Sequence, residues 1–358
     1  MRSGVVQEGR PFGRRQLLST VGVAAAGGLL AGCTSSEKGA NTAKPAAGAA
    51  GMGATWARDI RLYTFGGGPA GDQFGRVVVN GYKQASTDLG CNITTVYSDW
   101  DVSKFVSQFR EAIAAKPDGI AMMGQPGDEA LMPLAQQAEE AGIYVEYCNT
   151  DVPKVRAEFG SGYVGADQYN EGLGLGNEAI KEFNLKAGDR AIVFGFFNVP
   201  GNAPRDNGVA DAFSKAGLNV VKLVLDISSG GNPASQTGVV SGALSKYPDA
   251  KVMSLSGGQW VGEASVYLKA AGRKAGDVAV IGFDAIPGVV TMLQQGWAQM
   301  VASQQPFLQG YLPVLNLCMR KRWGGDGFAG LDVDTAHGFI TEKNVKPLLP
   351  QIRAGIVA

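Results

Sequence analysis

From Ile60 onward the chain alternates short runs of β-branched and aliphatic residues with stretches whose apolar positions recur at helical spacing. That alternation restricts it to parallel strands joined by crossover helices. Ile60 to Phe65 reads as a strand, and Val77, Val78, Gly81, Tyr82, Ala85 and Leu89 then share one helical face. In the next unit Val102, Phe105, Val106, Phe109, Ala112 and Ile113 form a single apolar stripe. Asp118 to Met123 is predicted as a buried strand, Glu129 to Ala141 as a helix and Ile143 to Tyr147 as a strand. A second series starts near Gly162 with a short strand and a helix over Asn170 to Phe183. It continues with strands at Arg190 to Phe197, Val220 to Leu225, Ala250 to Leu255, Val278 to Phe283 and Ala298 to Ser303, each separated by a helical pattern. A long helix from about Phe307 to Arg322 and a late strand around His337 to Ile340 end the series. At 358 residues the chain exceeds what one core accommodates, so the fold class is α/β with two doubly wound parallel-sheet lobes.

Composition narrows the function. Lys and Arg number 32 against 32 Asp and Glu, so there is no basic surplus to hold nucleic acid. An enzyme is disfavoured: the single His337 is poor provision for acid–base work, and no Ser-His-Asp or Cys-His set is present. Gly66-Gly67-Gly68 follows a strand but lacks the Lys-Ser/Thr pair of a phosphate cradle. One histidine also gives no cluster for a metal, and no cofactor is expected. Cys91, Cys148 and Cys318 show no C-x-x-C spacing; the first two fall beside strands and the third in a helix, which suits buried free thiols.

The N-terminus reads as an address. Arg14-Arg15 precedes an uncharged run from Leu17 to Ala31, too short to span a bilayer, which needs about 20 residues. Leu30-Ala31-Gly32-Cys33 then resembles the lipobox of bacterial lipoproteins, in which the cysteine is acylated. The arginine pair suits a twin-arginine export signal or a general secretory one. Residues 34–57 are rich in Ala, Gly, Ser and Lys and read as a flexible tether. The expectation is lipid anchoring at Cys33 on the outer face of the cytoplasmic membrane.

In open parallel sheets ligands bind beyond the carboxyl ends of the strands. Those ends carry, among others, Gly71-Asp72-Gln73-Phe74, Gly124-Gln125-Pro126, Asn149-Thr150-Asp151, Arg205-Asp206-Asn207-Gly208, Gly257-Gly258-Gln259-Trp260, Gly282-Phe283-Asp284 and Gln304-Gln305-Pro306. With Lys116-Pro117-Asp118-Gly119-Ile120 and Val280-Ile281-Gly282-Phe283-Asp284, the chain resembles the type I periplasmic binding proteins, in the group that binds ribose, galactose and xylose. The likeness covers roughly Asp59 to Ile352.

The resemblance implies two lobes joined by a three-crossing hinge, one of residues 58–164 plus 304–332 and the other of 165–303 plus 333–358. It implies a monomer that closes on a small sugar or polyol and hands it to an ABC import permease. Asp72 and Phe74 match the family's polar and aromatic pair of the first lobe, Gln125 and Asn149 two of its polar contacts, Arg205 and Asp284 the charged pair of the second, and Gln304 the hinge glutamine. Such groups suit hydroxyls that both donate and accept. Asp284 equally suits a helix N-cap, Arg205 a salt bridge and Phe74 the core. Two departures make ribose itself a poor candidate. Gly257-Gly258 replaces an Asn-Asp pair, leaving Trp260 to stack on the ligand or pack in the core, and Asn149-Thr150 replaces an Asp-Arg pair. A nucleoside or signal-molecule receptor and a chemosensory binding protein are the alternatives on the same fold.

Overall fold

The computed structural model describes residues 55–324, 332–336 and 338–357. Cys33, the export signal, His337 and the tether up to residue 54 lie outside the described residues. Residues 55–57 belong to the folded body. Ala57 is fully buried and the Trp56 ring lies 4.8 Å from that of Trp323, so the expected tether ends earlier than residue 57. Trp56 is the large apolar side chain that the composition of the segment as a whole concealed.

Two six-stranded sheets form the body. The first has the order β11-β5-β4-β3-β1-β2, built from β1 (Arg61–Phe65), β2 (Asn92–Val96), β3 (Gly119–Met123), β4 (Tyr144–Cys148), β5 (Tyr163–Gly165) and β11 (Asp332–Asp334). The second has the order β12-β10-β9-β8-β6-β7, built from β6 (Arg190–Gly195), β7 (Asn219–Val224), β8 (Ala250–Leu255), β9 (Ala279–Phe283), β10 (Met300–Ala302) and β12 (Phe339–Thr341). All pairs are parallel except β10 with β12, so the second sheet ends on an antiparallel edge strand. In both sheets the strand order reverses at the first strand of the series, the switch point at which α/β proteins place ligands.

The chain passes between the sheets after β5, after β10 and after β11. Because β11 pairs with β5 over Asp332–Asp334, the last passage lies between Asp334 and Phe339, slightly beyond the boundary expected at 332. Two strands went unread in the sequence, β2 and β11, both at sheet edges. Their burial is only partial, so they carry no continuous apolar run.

Helices cross at close quarters at two equivalent places. The helix Gln73–Leu89 meets Pro306–Trp323 where a Cβ on Gly81 would lie 2.1 Å from the Phe307 carbonyl oxygen. The helix Gln168–Glu182 meets Ala203–Lys215 where a Cβ on Gly172 would lie 1.9 Å from the Arg205 carbonyl oxygen. Glycine is the only residue that permits either approach. Cys91, Cys148 and Cys318 are buried free thiols in the first lobe's core.

Candidate functional site

The carboxyl ends of both sheets face each other across a cleft, and the side chains singled out at strand ends converge there. Asn149 follows β4 and Asp284 follows β9, each in the left-handed backbone region with φ of 63° and 67°. A non-glycine residue held there is costly and is sustained by its surroundings. Those surroundings are a hydrogen-bonded chain running from lobe to lobe. Gln125 Nε2 donates to Asn149 Oδ1 at 2.6 Å, and Asn149 Nδ2 donates to Gln304 Oε1 at 3.2 Å. Gln304 Nε2 then donates to Asp284 Oδ1 at 2.8 Å. Gln309, on the next turn, accepts from Asn149 at 3.1 Å and donates back to the Gln304 carbonyl at 2.8 Å.

Arg205 lies in the first turn of its helix, fixed by Nη2 donating to the Ser256 carbonyl at 2.5 Å and by the Phe283 ring 4.2 Å from its guanidinium carbon. Its Nε has no hydrogen-bond partner among the described residues. Burial raises the Asp284 carboxyl above the ordinary range, and the nearby Arg205 charge works against that rise. The neighbouring Asp206 ties the strand ends together, accepting from the Phe196 N–H at 2.7 Å and the Ser256 hydroxyl at 2.8 Å. Burial pushes its carboxyl up to about 6 despite Arg205 and these bonds.

Six of the eight expected residues wall the cavity between the lobes: Phe74, Asn149, Arg205, Trp260, Asp284 and Gln304. Asp72 and Gln125 do not. Gln125 stands behind Asn149 and orients it. Asp72 caps its helix, Oδ1 accepting from the Gly75 N–H at 2.6 Å, while Oδ2 accepts from Gln259 Nε2 of the opposite lobe at 2.6 Å. It is therefore a tie across the cleft mouth in this closed form. Trp260 donates its indole N–H to the Ser229 hydroxyl at 3.1 Å and lies edge-on to Phe196, with centroids 4.9 Å apart. These walls leave a cavity of about 30 Å³ between the lobes.

Sequence reasoning missed Trp100, Phe196, Asn202 and Gln259 as wall residues. Asn202 and Gln259 stand in strand-end segments, so the strand-end rule was there to find them; Phe196 falls inside a strand expected to run to Phe197, whereas β6 ends at Gly195. Trp100 follows β2, and a strand that goes unread hides the residue after it.

Two facing sheets, three passages of the chain between them and a polar chain across the cleft define a two-lobed solute-binding protein. The model of the periplasmic binding protein domain family matches residues 67–320, and the chain belongs to that family of non-enzymatic binding proteins, in its type I sugar-binding group. A xylose/arabinose-binding protein of Sulfolobus acidocaldarius is 27% identical over 285 residues, covering 75% of this chain and 68% of that protein. A D-ribose/D-allose-binding protein of Pseudomonas aeruginosa is 30% identical over 216 residues, 58% of this chain and 65% of that protein. Among solved structures, a solute-binding protein of Burkholderia graminis in complex with D-arabinose aligns with a TM-score of 0.72 at 23% identity, covering 81% of this chain and 98% of that one. A carbohydrate transporter protein of Acidothermus cellulolyticus in complex with myo-inositol aligns with a TM-score of 0.69 at 23% identity, covering 83% and 99%.

Proposed function

We propose that this protein captures one small sugar or polyol between its lobes outside the cytoplasmic membrane, delivers it to an ABC import permease, and is held at the membrane by a lipid on Cys33. The observation that carries the ligand class is the chain Gln125–Asn149–Gln304–Asp284 with Arg205 beside it. Amide and carboxylate groups in that array meet hydroxyls as both donors and acceptors, and Phe74 and Trp260 offer faces to a C–H surface. The sugar-binding relatives support the same reading.

A thermal-shift screen of the Cys33→Ser protein against D-arabinose, D-xylose, D-ribose, D-allose, myo-inositol, xylitol, erythritol and adenosine tests it. A ligand at about 1,000 times its Kd adds about 4 kcal/mol, which raises Tm by several degrees. Stabilisation by at least one sugar or polyol, abolished by Asp284→Ala when each protein is compared with its own ligand-free Tm, is the expected result. Response to adenosine alone would instead favour a nucleoside receptor, whose base the rings of the two lobes would sandwich. Loss of membrane retention in the Cys33→Ser protein is the outcome expected of the anchor.

A further inference from the structure

Trp100 is held in place by more structure than a packed core residue requires. It and Asp99 are consecutive non-glycine residues in the left-handed region, with φ of 56° and 54°. The Gly67 carbonyl accepts from the N–H groups of both Ser98, at 3.1 Å, and Trp100, at 3.2 Å, which fixes this turn. The indole then lies over Gly67 and Gly68, where an added Cβ would come within 2.5 Å of Cη2 and of Nε1 respectively. From the opposite lobe Gly230, in the 3-10 turn Ile227–Gly231, meets the same ring. A Cβ there would lie 3.1 Å from Trp100 Cδ1 and 3.3 Å from Trp260 Cη2. Ile227 of that turn packs against the cores of both lobes. The indole N–H is buried beside the Asp72 carboxylate.

We propose that Trp100 is a specificity-determining residue of the sugar site, a ring of the first lobe on which Gly230 of the second lobe closes to make the outer wall of the pocket. The proposal rests on the sugar-binding reading above. Three glycines, two on its own lobe and one on the other, leave room for the indole and for nothing larger. A ligand carrying a substituent toward this wall must displace the ring from the slot. The pocket therefore selects a single free monosaccharide or cyclitol over its glycosides.

The test is a double-mutant cycle on the Cys33→Ser protein, with Kd measured by calorimetry for D-arabinose, D-xylose, D-ribose, D-allose and myo-inositol, and for the methyl glycosides of the four sugars. Gly230→Val fills the slot from the far side and is expected to weaken binding roughly tenfold. In a Trp100→Ala background, where the obstructed ring is gone, the same change is expected to cost less than about twofold. Trp100→Ala is also expected to narrow the preference for free sugar over methyl glycoside, and Trp100→Phe to keep most of it. Equal Gly230→Val penalties in both backgrounds, or an unchanged glycoside preference in Trp100→Ala, would overturn the proposal while leaving sugar binding intact. If none of the free probes binds the parent protein, the sugar reading fails and this proposal falls with it. Should Trp100→Ala not fold, Trp100→Phe with Gly230→Val supplies the cycle, the smaller ring being expected to relieve part of the penalty.

Discussion

Glu171, in the first turn of the helix Gln168–Glu182, is buried with neither carboxyl oxygen hydrogen-bonded among the described residues. Burial pushes its carboxyl up to about 8; Asp284, Asp334 and Asp167 add to the rise, and Arg205 opposes it. In the unfolded chain the group ionises as a free glutamate does, at about 4.3. Between that value and about 8 the folded protein holds a proton that the unfolded chain has released. Stability contributed here is therefore greatest at low pH and falls as pH rises through the interval, then levels off above it. Glu171→Gln, which cannot ionise, is expected to raise stability at pH 8 by on the order of a few kcal/mol, with a much smaller gain at pH 5. Urea unfolding at the two pH values checks this. Nothing in the sequence pointed to Glu171, because a glutamate in a first helical turn normally faces water and favours the helix dipole. Asp284, by contrast, was legible: it follows a strand of continuous apolar residues, and its neighbours Gly282 and Phe283 carried the family pattern.

At the scale of elements, the buried strands and amphipathic helices were legible because their periodicities are strong. The edge strands β2 and β11 and the 3-10 turns between Ile227 and Gln236 were not, since half-exposed Thr, Ser, Gly and Asp carry no period. The cost fell on the site, since two residues that wall the cavity are placed by these segments, Trp100 after β2 and Ile227 at the start of the first 3-10 turn. The helix crossing at Gly172 gives a prediction where local and tertiary effects oppose each other. Gly172→Ala improves helix propensity by about 1 kcal/mol. Yet its Cβ would lie 1.9 Å from a backbone oxygen of the facing helix, and forcing helices apart costs typically 1–3 kcal/mol, about the size of an overpacked core. Net destabilisation in urea is expected, together with weaker ligand binding, because the oxygen pushed aside is that of Arg205. A stabilised Gly172→Ala protein would mean that the two helices slide freely.

For the molecule as a whole, several polar ties cross between the lobes among the described residues, Gln168 to the Asn149 carbonyl and Asn80 to the Gly355 carbonyl included. Gln259 to Asp72 spans the mouth of the cleft, whereas the Asn149–Gln304–Asp284 chain runs beside the hinge and need not break when the lobes part. Gln259→Ala removes the mouth tie and leaves the other Asp72 oxygen capping its helix. A hydrogen bond to a charged group contributes about 1.5–3 kcal/mol. Faster ligand release, roughly tenfold, and a larger ligand-free radius of gyration by small-angle scattering are the expected results. Release rates equal to those of the parent would place the closing force elsewhere.

The three passages of the chain between the sheets also set an order of assembly. The second sheet needs only residues 190–302 for five of its six strands, all of them consecutive in the chain. The first lobe is begun earlier but waits for the helix Pro306–Trp323, which covers the helix Gln73–Leu89 more than two hundred residues upstream, and for β11 at its sheet edge. Contacts so distant in sequence form late. The second lobe in turn completes its core only with Ile340 of β12, Val345 and Ile352. Both lobes therefore keep an apolar flank uncovered until residues well beyond 302 have emerged, the interval in which they most need a chaperone.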